Sequence, residues 1–251
     1  MKELIVEQTA GDTKKITSRV SWNPAPLRNS KKELVTYLTD WRSVSLVGPG
    51  AGGAGGGGGG GLSGDWLNPQ TLSSFDLGPG NEGMDVEVKN NTVFMAAKAS
   101  DANKKDFYVV DVANPANPTL KKDINTGEGL VVLSIRGNYA YAAHNDDENQ
   151  IQIINISDES NPVLIKSFSF QSNNKEGKSI YSLGGFVYAG SKISSGKEFQ
   201  IFDVSDPSNP VFKSSVEINA DVNDIYVLND RAYLATARDD AEILIFDVSN
   251  P

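Results

Sequence analysis

The feature that most constrains this chain is an eight-residue motif that recurs at a nearly constant spacing. The motif reads Asp-Val-Ala-Asn-Pro-Ala-Asn-Pro at residues 111–118, and related copies begin at Asn155, Asp203 and Asp247. The four starts are 44, 48 and 44 residues apart. A self-similar period of this length indicates that each repeat is one supersecondary unit, stabilised by packing against its neighbours.

Each repeat has the pattern of four antiparallel β-strands. An apolar run rich in β-branched and aromatic residues precedes each motif, and an earlier run follows a pair of Asn, Gly or Asp residues that tolerate the positive φ of tight hairpins. The earlier runs span residues 93–97, 139–143, 186–190 and 231–235. Together with one strand before the turn and one after the motif, this pattern predicts an all-β chain of β-propeller blades.

The motif itself is predicted to be a structural corner. Asp and Asn side chains can cap a turn, and proline fixes φ and ends strand pairing. The repeated carboxylates are therefore interpreted as corner residues and not as a catalytic set. Tyr141, Tyr188 and Tyr233, matched by Met95 in the first repeat, recur in the second strand, which indicates packing between blades.

This corner after a short apolar strand resembles the LVIVD-repeat family of bacterial and archaeal propellers, over about residues 66–251. Asn155 replaces the corner Asp in one copy, and Glu159 replaces its first Pro. The resemblance implies an extracellular or cell-surface location and an undefined ligand, and it implies no reaction. Residues 19–22 and 34–42 resemble the β region that follows the helix in pilin-like surface proteins.

The sequence predicts three zones. Residues 1–47 contain three strand-like runs, at 4–7, 15–22 and 34–41, and form a small β module. Residues 48–65 are a flexible linker, because so many glycines gain little by ordering. A phosphate-binding loop is excluded there, since no Lys-Ser/Thr pair follows the glycines. Residues 66–251 form the propeller repeats.

The repeats alone leave open whether four blades make a complete ring or part of a larger one. Residues 71–77 have the pattern of a fourth strand with no three strands before it, whereas the last repeat has three strands and no fourth. We therefore expect residues 71–77 to complete the last blade and close the domain, which would remove its exposed sheet edges.

Composition excludes several classes of function. The formal net charge of -9 opposes binding to nucleic acid, which depends on clustered Lys and Arg. The absence of Cys excludes disulfides and thiolate chemistry. No run of this sequence is apolar enough to predict a membrane span. The sequence leaves the oligomeric state open and predicts no cofactor.

The candidate site residues lie in loops at one rim. His144 is followed by Asp146, Asp147 and Glu148, and Asp239 and Asp240 occupy the corresponding loop of the last repeat, as Asp101 and Asp106 do in the first. A His–carboxylate pair could serve acid–base chemistry, and the acidic run could bind Ca²⁺, but no nucleophile motif and no spaced calcium-loop pattern accompany them. We expect a solvated, acidic loop that offers ligand contacts.

The sequence thus favours a non-catalytic, cell-surface or secreted module that binds or scaffolds a protein or glycan partner. One alternative is a propeller hydrolase or lyase that acts on a glycan or small ester at the central channel, with carboxylates drawn from different blades. Another is a segment of a pilus-like or envelope structural protein.

Overall fold

The chain divides into two compact units, Met1–Gln70 and Thr71–Pro251. The computed structural model describes the backbone of residues 2–8, 14–25 and 28–38, and both backbone and side chains of residues 71–99, 101, 103–171 and 175–251. The predicted linker, residues 48–65, lies outside the described residues.

The first unit contains one antiparallel sheet of three strands in the order β1-β2-β3. The strands are β1 (Lys2–Gln8), β2 (Lys14–Ala25) and β3 (Arg28–Leu38). They are longer than predicted: β2 continues through Pro24, which the sheet tolerates because the register shifts between Trp22 and Ala25. Trp41, at the end of the third predicted run, lies outside the described residues.

The second unit consists of four antiparallel sheets, one per repeat, which we call blades 1 to 4. Blade 1 contains β4 (Asn81–Lys89), β5 (Thr92–Ala99), β6 (Phe107–Asp111) and β7 (Thr119–Ile124). Blade 2 contains β8 (Leu130–Arg136), β9 (Tyr139–His144), β10 (Ile151–Asn155) and β11 (Val163–Phe168). Blade 3 contains β12 (Gly177–Leu183), β13 (Phe186–Ser191), β14 (Phe199–Asp203) and β15 (Val211–Val216). Blade 4 contains β16 (Val222–Leu228), β17 (Arg231–Thr236) and β18 (Ile243–Asp247).

Within each blade the strands pair in chain order, and the first strands of successive blades pack side by side. These first strands are therefore the inner strands of the arrangement. The structure confirms the predicted β-propeller blades.

The hairpins between first and second strands turn at the predicted residue pairs. Asn90 and Gly137 both have a φ of 56°, and Asn229 and Asp230 have φ values of 50° and 58°. Two-residue hairpins require this left-handed conformation, which Asn, Asp and Gly adopt at little cost.

In each corner motif, the side chain of the first residue caps the turn that follows it. Oδ1 of Asp111 accepts a hydrogen bond from the amide of Ala113 at 2.8 Å. The same bond recurs at Asn155, Asp203 and Asp247. Hydrogen bonding to the following serine lowers the pKa of both Asp203 and Asp247. These side chains hold turns, as the sequence predicts.

Two opposite faces build each joint between blades. In blade 2, Tyr141 and Ile153 pair across β9 and β10 and point toward blade 3, whereas Ala140 and Ile154 pair and point toward blade 1. We call these the forward face and the rear face. Three apolar clusters, each combining the forward face of one blade with the rear face of the next, form the core. Tyr141 and Tyr188 are buried in them, which confirms their predicted packing role.

The first repeat differs from the prediction by one residue. The register pairs Tyr141 with Ile153, and at the equivalent place in blade 1 it pairs Phe94, not Met95, with Val109. Matching Met95 to the tyrosines was therefore wrong. Because side chains alternate between faces, this one-residue shift places Met95 on the rear face instead.

Residues 71–77 do not complete blade 4. They form no strand, and among the described residues β18 pairs only with β17. The segment lies against blade 1, where Oγ of Ser73 donates to the carbonyl of Pro115 at 2.6 Å and Leu77 packs near Tyr108. The predicted closure is wrong in this structure: Val86 on the first blade and Ile245 on the last are 53% and 58% exposed, so these two blades do not cover each other. The second unit is an open arc.

Within the described residues, none of the secondary structure is a helix of the length and apolarity that crossing a membrane requires.

Candidate functional site

The loops between second and third strands lie at the same end of the arc as the loops that connect one blade to the next. We call this end the top. His144 and the acidic residues 146–148 are at the top of blade 2, and Asp239 and Asp240 are at the top of blade 4. No hydrogen bond or ion pair between described residues joins these two groups, so the structure does not combine them into one site.

His144 is buried, contrary to the expectation of a solvated loop. It is the last residue of β9, on the rear face with Ala140 and Ala142, and only 1% of its surface is exposed. Gly127, in the loop from blade 1, lies so close that a Cβ there would be 2.6 Å from Nε2. Burial lowers the pKa of His144, although the charge of Asp146 opposes this. The imidazole is therefore neutral near pH 7, and it packs in the joint instead of contacting a ligand.

The acidic residues of blade 2 form a turn at the surface. Asp146 accepts hydrogen bonds from the amide of Glu148 at 2.8 Å and from Nδ2 of Asn149 at 3.3 Å. The side chains of Asp147 and Glu148 are exposed. Over the part of the chain that the structure describes, no three His, Asp or Glu side chains gather in a group that could hold a metal ion.

In blade 4, Asp240 is engaged in a bidentate ion pair. Nε and Nη2 of Arg238 donate to its two carboxylate oxygens at 2.8 and 2.7 Å. This hydrogen bonding lowers the pKa of Asp240 and raises that of Arg238. Asp239 beside it is exposed and remains open to solvent.

Asp106 does not belong to the rim, because it is buried in the joint between blades 1 and 2. Thr126 donates to its carboxylate from the backbone amide at 2.7 Å and from Oγ1 at 2.9 Å. Burial raises the pKa of Asp106 to about 6, although these hydrogen bonds oppose the shift. Equivalent bonds join Gln150 to the amide of Phe170 and Glu198 to the amide of Ile218. We call Asp106, Gln150 and Glu198 the clamp residues.

A cleft of about 190 Å³ opens at the top of blades 1 to 3. Apolar side chains contribute part of its wall, and lysines from two blades surround them. The lining consists of Met84, Lys98, Leu130, Val131, Asn145, Glu176, Gly177, Lys178 and Lys192.

Two recurring positions in the blades build this cleft. Each inner strand has a one-residue bulge near its start, and a bulge redirects the side chain that it leaves unpaired. The bulged residues of blades 1 to 3 are Met84, Val131 and Lys178. The second position lies four residues after the aromatic residue of the second strand, and it holds Lys98, Asn145 and Lys192. An alignment of the repeats shows this shared position, but it was not among the residues predicted from the sequence.

Two of the three lysines are paired with carboxylates. Nζ of Lys178 lies 2.6 Å from Oδ2 of Asp221. Burial alone would raise the pKa of Asp221, but the hydrogen bonds from Lys178 and from the amide of Ile193, together with the charges of Lys178 and Lys192, lower it. Lys192 forms an ion pair with Glu176. Lys98 is exposed and forms no ion pair among the described residues, although Glu82 lies opposite it across β4 and β5. The cleft can therefore bind an anionic group that also has an apolar surface.

The inner strand of blade 1 holds two neighbouring carboxylates. Burial, followed by the charge of Asp85, raises the pKa of Glu87. Asp85 itself accepts hydrogen bonds from the amides of Val86 and Leu133 at 2.8 and 2.7 Å. Both carboxylates come from one strand, whereas the hydrolase alternative expects them from different blades.

The solved structures that resemble this fold belong to longer chains. The computationally designed Ika8 protein is 12% identical with a TM-score of 0.52, and the match covers 72% of this chain and 50% of that one. The Cps50 (Swd1) β-propeller domain of Myceliophteria thermophila is 11% identical with a TM-score of 0.53, covering 68% and 55%. U3-55K is 13% identical with a TM-score of 0.51, covering 70% and 54%. The chain thus spans about half the length of each.

At these identities the similarity shows the fold alone. No curated protein matches the chain. The LVIVD repeat model matches residues 82–126, 132–169, 177–218 and 220–251, which together make up more than half of the sequence. Each match falls on one of the four blades. The chain therefore belongs to the LVIVD repeat family.

Proposed function

We propose that this chain is a non-catalytic binding module whose ligand docks in the cleft at the top of blades 1 to 3. The observation that carries the proposal is Lys98, which is exposed, forms no ion pair among the described residues, and lies beside the apolar side chains of Met84 and Leu130. In a chain with a formal net charge of -9, a local cationic site selects for negative charge. The ligand is therefore a glycan or protein that presents a carboxylate.

The size of the cleft limits how much of the ligand it holds. Pockets that enclose a whole small molecule typically measure about 300–1,000 Å³. At about 190 Å³ this cleft fits one group of a larger ligand, such as one uronic-acid unit or one acidic side chain. The rest of the ligand would lie across the top loops, where Asp147, Glu148 and Asp239 are exposed.

The chemistry of the cleft supports binding without catalysis. Glu176 is neutralised by Lys192, and His144 beneath is enclosed and neutral. On the inner strand, the carboxylate of Asp85 is occupied by two backbone amides, which leaves Glu87 without a second free carboxylate beside it. Screening against glycans and esters tests this point directly, and turnover that Glu87→Gln abolishes would establish the hydrolase alternative.

We further propose that the module acts at the cell surface or is secreted, as membership of the LVIVD repeat family supports. A scaffolding role in the envelope is compatible with this location. Labelling of an epitope-tagged chain on intact cells, before and after protease treatment of the surface, tests it. Signal that appears only after lysis would contradict a surface location.

The binding proposal is tested by calorimetry with oligogalacturonate and, separately, with a Glu-rich peptide, each compared with its neutral counterpart. We expect the carboxylate form of one probe to bind, and Lys98→Glu to weaken that binding by roughly tenfold or more. The matched control is Lys166→Glu, because Lys166 is exposed on the outer strand β11, which contributes no residue to the cleft. Equal binding by both variants, or binding of the neutral probe alone, would contradict the proposed site.

A further inference from the structure

The joint between blades 1 and 2 buries a histidine where the other repeats have small side chains. His144 lies three residues after Tyr141, and the residues at the same position of blades 1, 3 and 4 are Ala97, Ser191 and Thr236. An imidazole is bulkier than any of these side chains. The fold of a blade therefore does not require a titratable group at this position.

The hydrogen bonding of the imidazole also differs from that of its counterparts. Oγ of Ser191 donates to the carbonyl of Lys192 at 3.0 Å, and Oγ1 of Thr236 donates to the carbonyl of Ala241 at 2.7 Å. Nδ1 and Nε2 of His144 are buried and have no hydrogen-bond partner among the described residues. A buried polar group without a partner destabilises the state that encloses it, so the imidazole favours any rearrangement that admits water.

A glycine makes room for the imidazole ring. Gly127 belongs to the connection between blades 1 and 2, residues 125–129, and a Cβ there would lie 2.6 Å from Nε2 of His144. Gly127 directly follows the residue whose amide donates to Asp106, and the residues that follow the corresponding donors in the next two joints are Gln171 and Asn219. The large side chain on β9 is thus matched by a missing side chain in the connection, which closes directly over the ring.

The same connection supports the wall of the cleft. The amide of Asn145 donates to the carbonyl of Gly129 at 3.0 Å, and a Cβ on Gly129 would lie 3.0 Å from Cα of Lys98. Leu130 follows directly and pairs with His144 across β8 and β9. Lys98, Leu130 and Asn145 all line the cleft, so the segment that covers the imidazole also positions residues that would contact a ligand.

We propose that His144 makes this joint, and with it the cleft, sensitive to acid. Protonation moves the connection away from the ring, because an imidazolium needs water or hydrogen-bond acceptors that the joint does not supply. Displacement of Gly129 and Leu130 then removes Lys98 and Asn145 from the arrangement that binds the ligand. The inference rests on the proposed function of the cleft, and it predicts that a carboxylate ligand is bound at neutral pH and released in acid.

The direction of the pH dependence follows from burial. Burial lowers the pKa of His144 below its ordinary value of 6.5, and the charge of Asp146 opposes this shift without cancelling it. The enclosed state therefore binds a proton less readily than the open state. Its stability is complete above about pH 6.5 and is lost as the pH falls below that value.

Asp106 acts on the same connection with the opposite sign. Its pKa is raised to about 6, so its protonation in acid stabilises the joint and partly masks the effect of His144. Of the charged groups among the described residues, only Asp146 affects the pKa of His144. The other charged side chains on the elements around the ring are Lys98, Glu128, Asp147, Glu148, Glu176 and Lys178.

Hydrogen exchange and NMR of Asp106→Asn, which removes the opposing titration, test the joint. His144 is the only histidine in the sequence, so its ring signals report its protonation without overlap. Between about pH 7.5 and 5.5 the protection factor of the Asn145 amide should fall roughly fivefold to tenfold, as the open state gains a proton. The amide of Lys192, which donates to the carbonyl of Glu176 at the equivalent place in the next joint, should keep its protection.

The matched control is the double variant His144→Leu/Asp106→Asn, in which the Asn145 protection factor should not change over this range. His144→Gln replaces His144→Leu if leucine prevents folding, since it is also uncharged. In the wild type the fall should be smaller than in Asp106→Asn. A constant protection factor in Asp106→Asn while the ring titrates would overturn the proposal, and so would a fall that persists in the double variant.

The link to the cleft has its own measurement, made with whichever carboxylate probe binds at about pH 7.5. Its carboxylates stay largely ionised at about pH 5.5, because their ordinary pKa lies near 4. By linkage, the bound probe should restore the protection of the Asn145 amide and move the titration of His144 to lower pH. If the bound probe changes neither, the joint does not control the cleft and the proposal fails. If neither oligogalacturonate nor the Glu-rich peptide binds, the proposed function fails instead, while the exchange data still decide whether His144 opens the joint.

Discussion

The carboxylate of Asp106 in blade 1 accepts a hydrogen bond from the backbone amide of Thr126, 2.7 Å away in the connection to blade 2. The two residues are 20 positions apart, and the same separation recurs in the bonds of the other two clamp residues. A buried amide without an acceptor costs about 1–3 kcal/mol, so each clamp allows the connection to be buried between blades. Asp106 and Glu198 are acidic, whereas Gln150 is neutral. Substitutions of the two acidic clamp residues are therefore predicted separately.

Asp106→Asn should stabilise the protein at neutral pH and remove part of its pH dependence. Burial raises the folded-state pKa of Asp106 from 3.8 to about 6, so the folded state favours the protonated carboxyl. Its contribution to stability is therefore complete below about pH 4 and is lost as the pH rises through 6, a loss of about 3 kcal/mol. Asn resembles the protonated form at every pH. Urea unfolding from pH 4 to 8 measures the difference from the wild type.

The control for this series is Glu128→Gln, which changes an exposed carboxylate in the same connection between blades. Its difference from the wild type should stay flat over this pH range. A destabilised Asp106→Asn at pH 8, with the slope of the wild type retained, would show that the ionised carboxylate stabilises the joint and that the predicted sign is wrong.

Removing the clamp between blades 3 and 4 should be costly. Oε2 of Glu198 accepts the amides of Ile218 and Asn219 at 2.7 and 3.0 Å, and the first of these bonds is buried. Glu198→Ala leaves both amides without this acceptor and should lower the free energy of unfolding by about 2–4 kcal/mol. Glu217→Ala removes an exposed ion pair with Lys197 and should cost less than about 1 kcal/mol. Similar losses in the two variants would contradict a specific role for the clamp.

Glu159, which departs from the corner motif, links blades 1 and 2 at the end opposite the top. Its Oε2 accepts hydrogen bonds from Oγ1 of Thr92 and Nζ of Lys121, both at 2.7 Å. Burial alone would raise the pKa of Glu159, but these hydrogen bonds lower it. Because the folded-state pKa is lowered, the stabilisation is present above the ordinary value of 4.5 and is lost as the pH falls through the folded-state value.

Glu159→Pro restores the residue found in other copies of the motif and should lower stability by about 1 kcal/mol at pH 7. Thermal unfolding should show the same loss for Lys121→Met, and little further loss when the two changes are combined, because they break one interaction. At pH 3 the Glu159→Pro difference should shrink. Additive effects at pH 7 would mean that the pair is not coupled.

The blades could be predicted from the sequence because their turns and corners have local causes. Asn90 adopts the positive φ that its hairpin needs, and Asp111 caps its own corner, so neither feature depends on distant contacts. Whether the first and last blades meet depends instead on how several packed faces fit together, which no local pattern encodes. Residues 71–77 do have the spacing of a fourth strand, but the partner edge on β18 lies at the other end of the arc.

The candidate site was harder to predict, because it depends on register. His144 was expected in a loop, but β9 continues through it and alternation places it on the buried rear face. Lys98 and Lys192 occupy one repeated position, yet this is visible only when blade 1 is aligned on Phe94. If blade 1 is aligned on Met95 instead, the position is shifted by one residue, and Lys98 no longer corresponds to Lys192.

Gly127→Ala should disrupt the joint between blades 1 and 2. Gly127 has a φ of 145°, which L-residues rarely adopt, and its Cβ would lie 2.6 Å from Nε2 of the buried His144. The combined strain and overlap should lower the free energy of unfolding by about 2 kcal/mol or more. Gly78→Ala is the control for strain alone, since Gly78 has a φ of 90° with no atom within 4 Å of its Cβ position.

His144→Ala separates the two causes in Gly127→Ala. His144→Ala alone removes buried contacts and should destabilise the joint by itself. In the double variant the imidazole ring that would meet the new Cβ is absent. Gly127→Ala should therefore lower the free energy of unfolding by at least about 1 kcal/mol less than it does in the wild type. Chemical denaturation of the four proteins completes the cycle. If Gly127→Ala costs the same in both backgrounds, backbone strain alone accounts for it, and the close approach of His144 is not what requires glycine at this position.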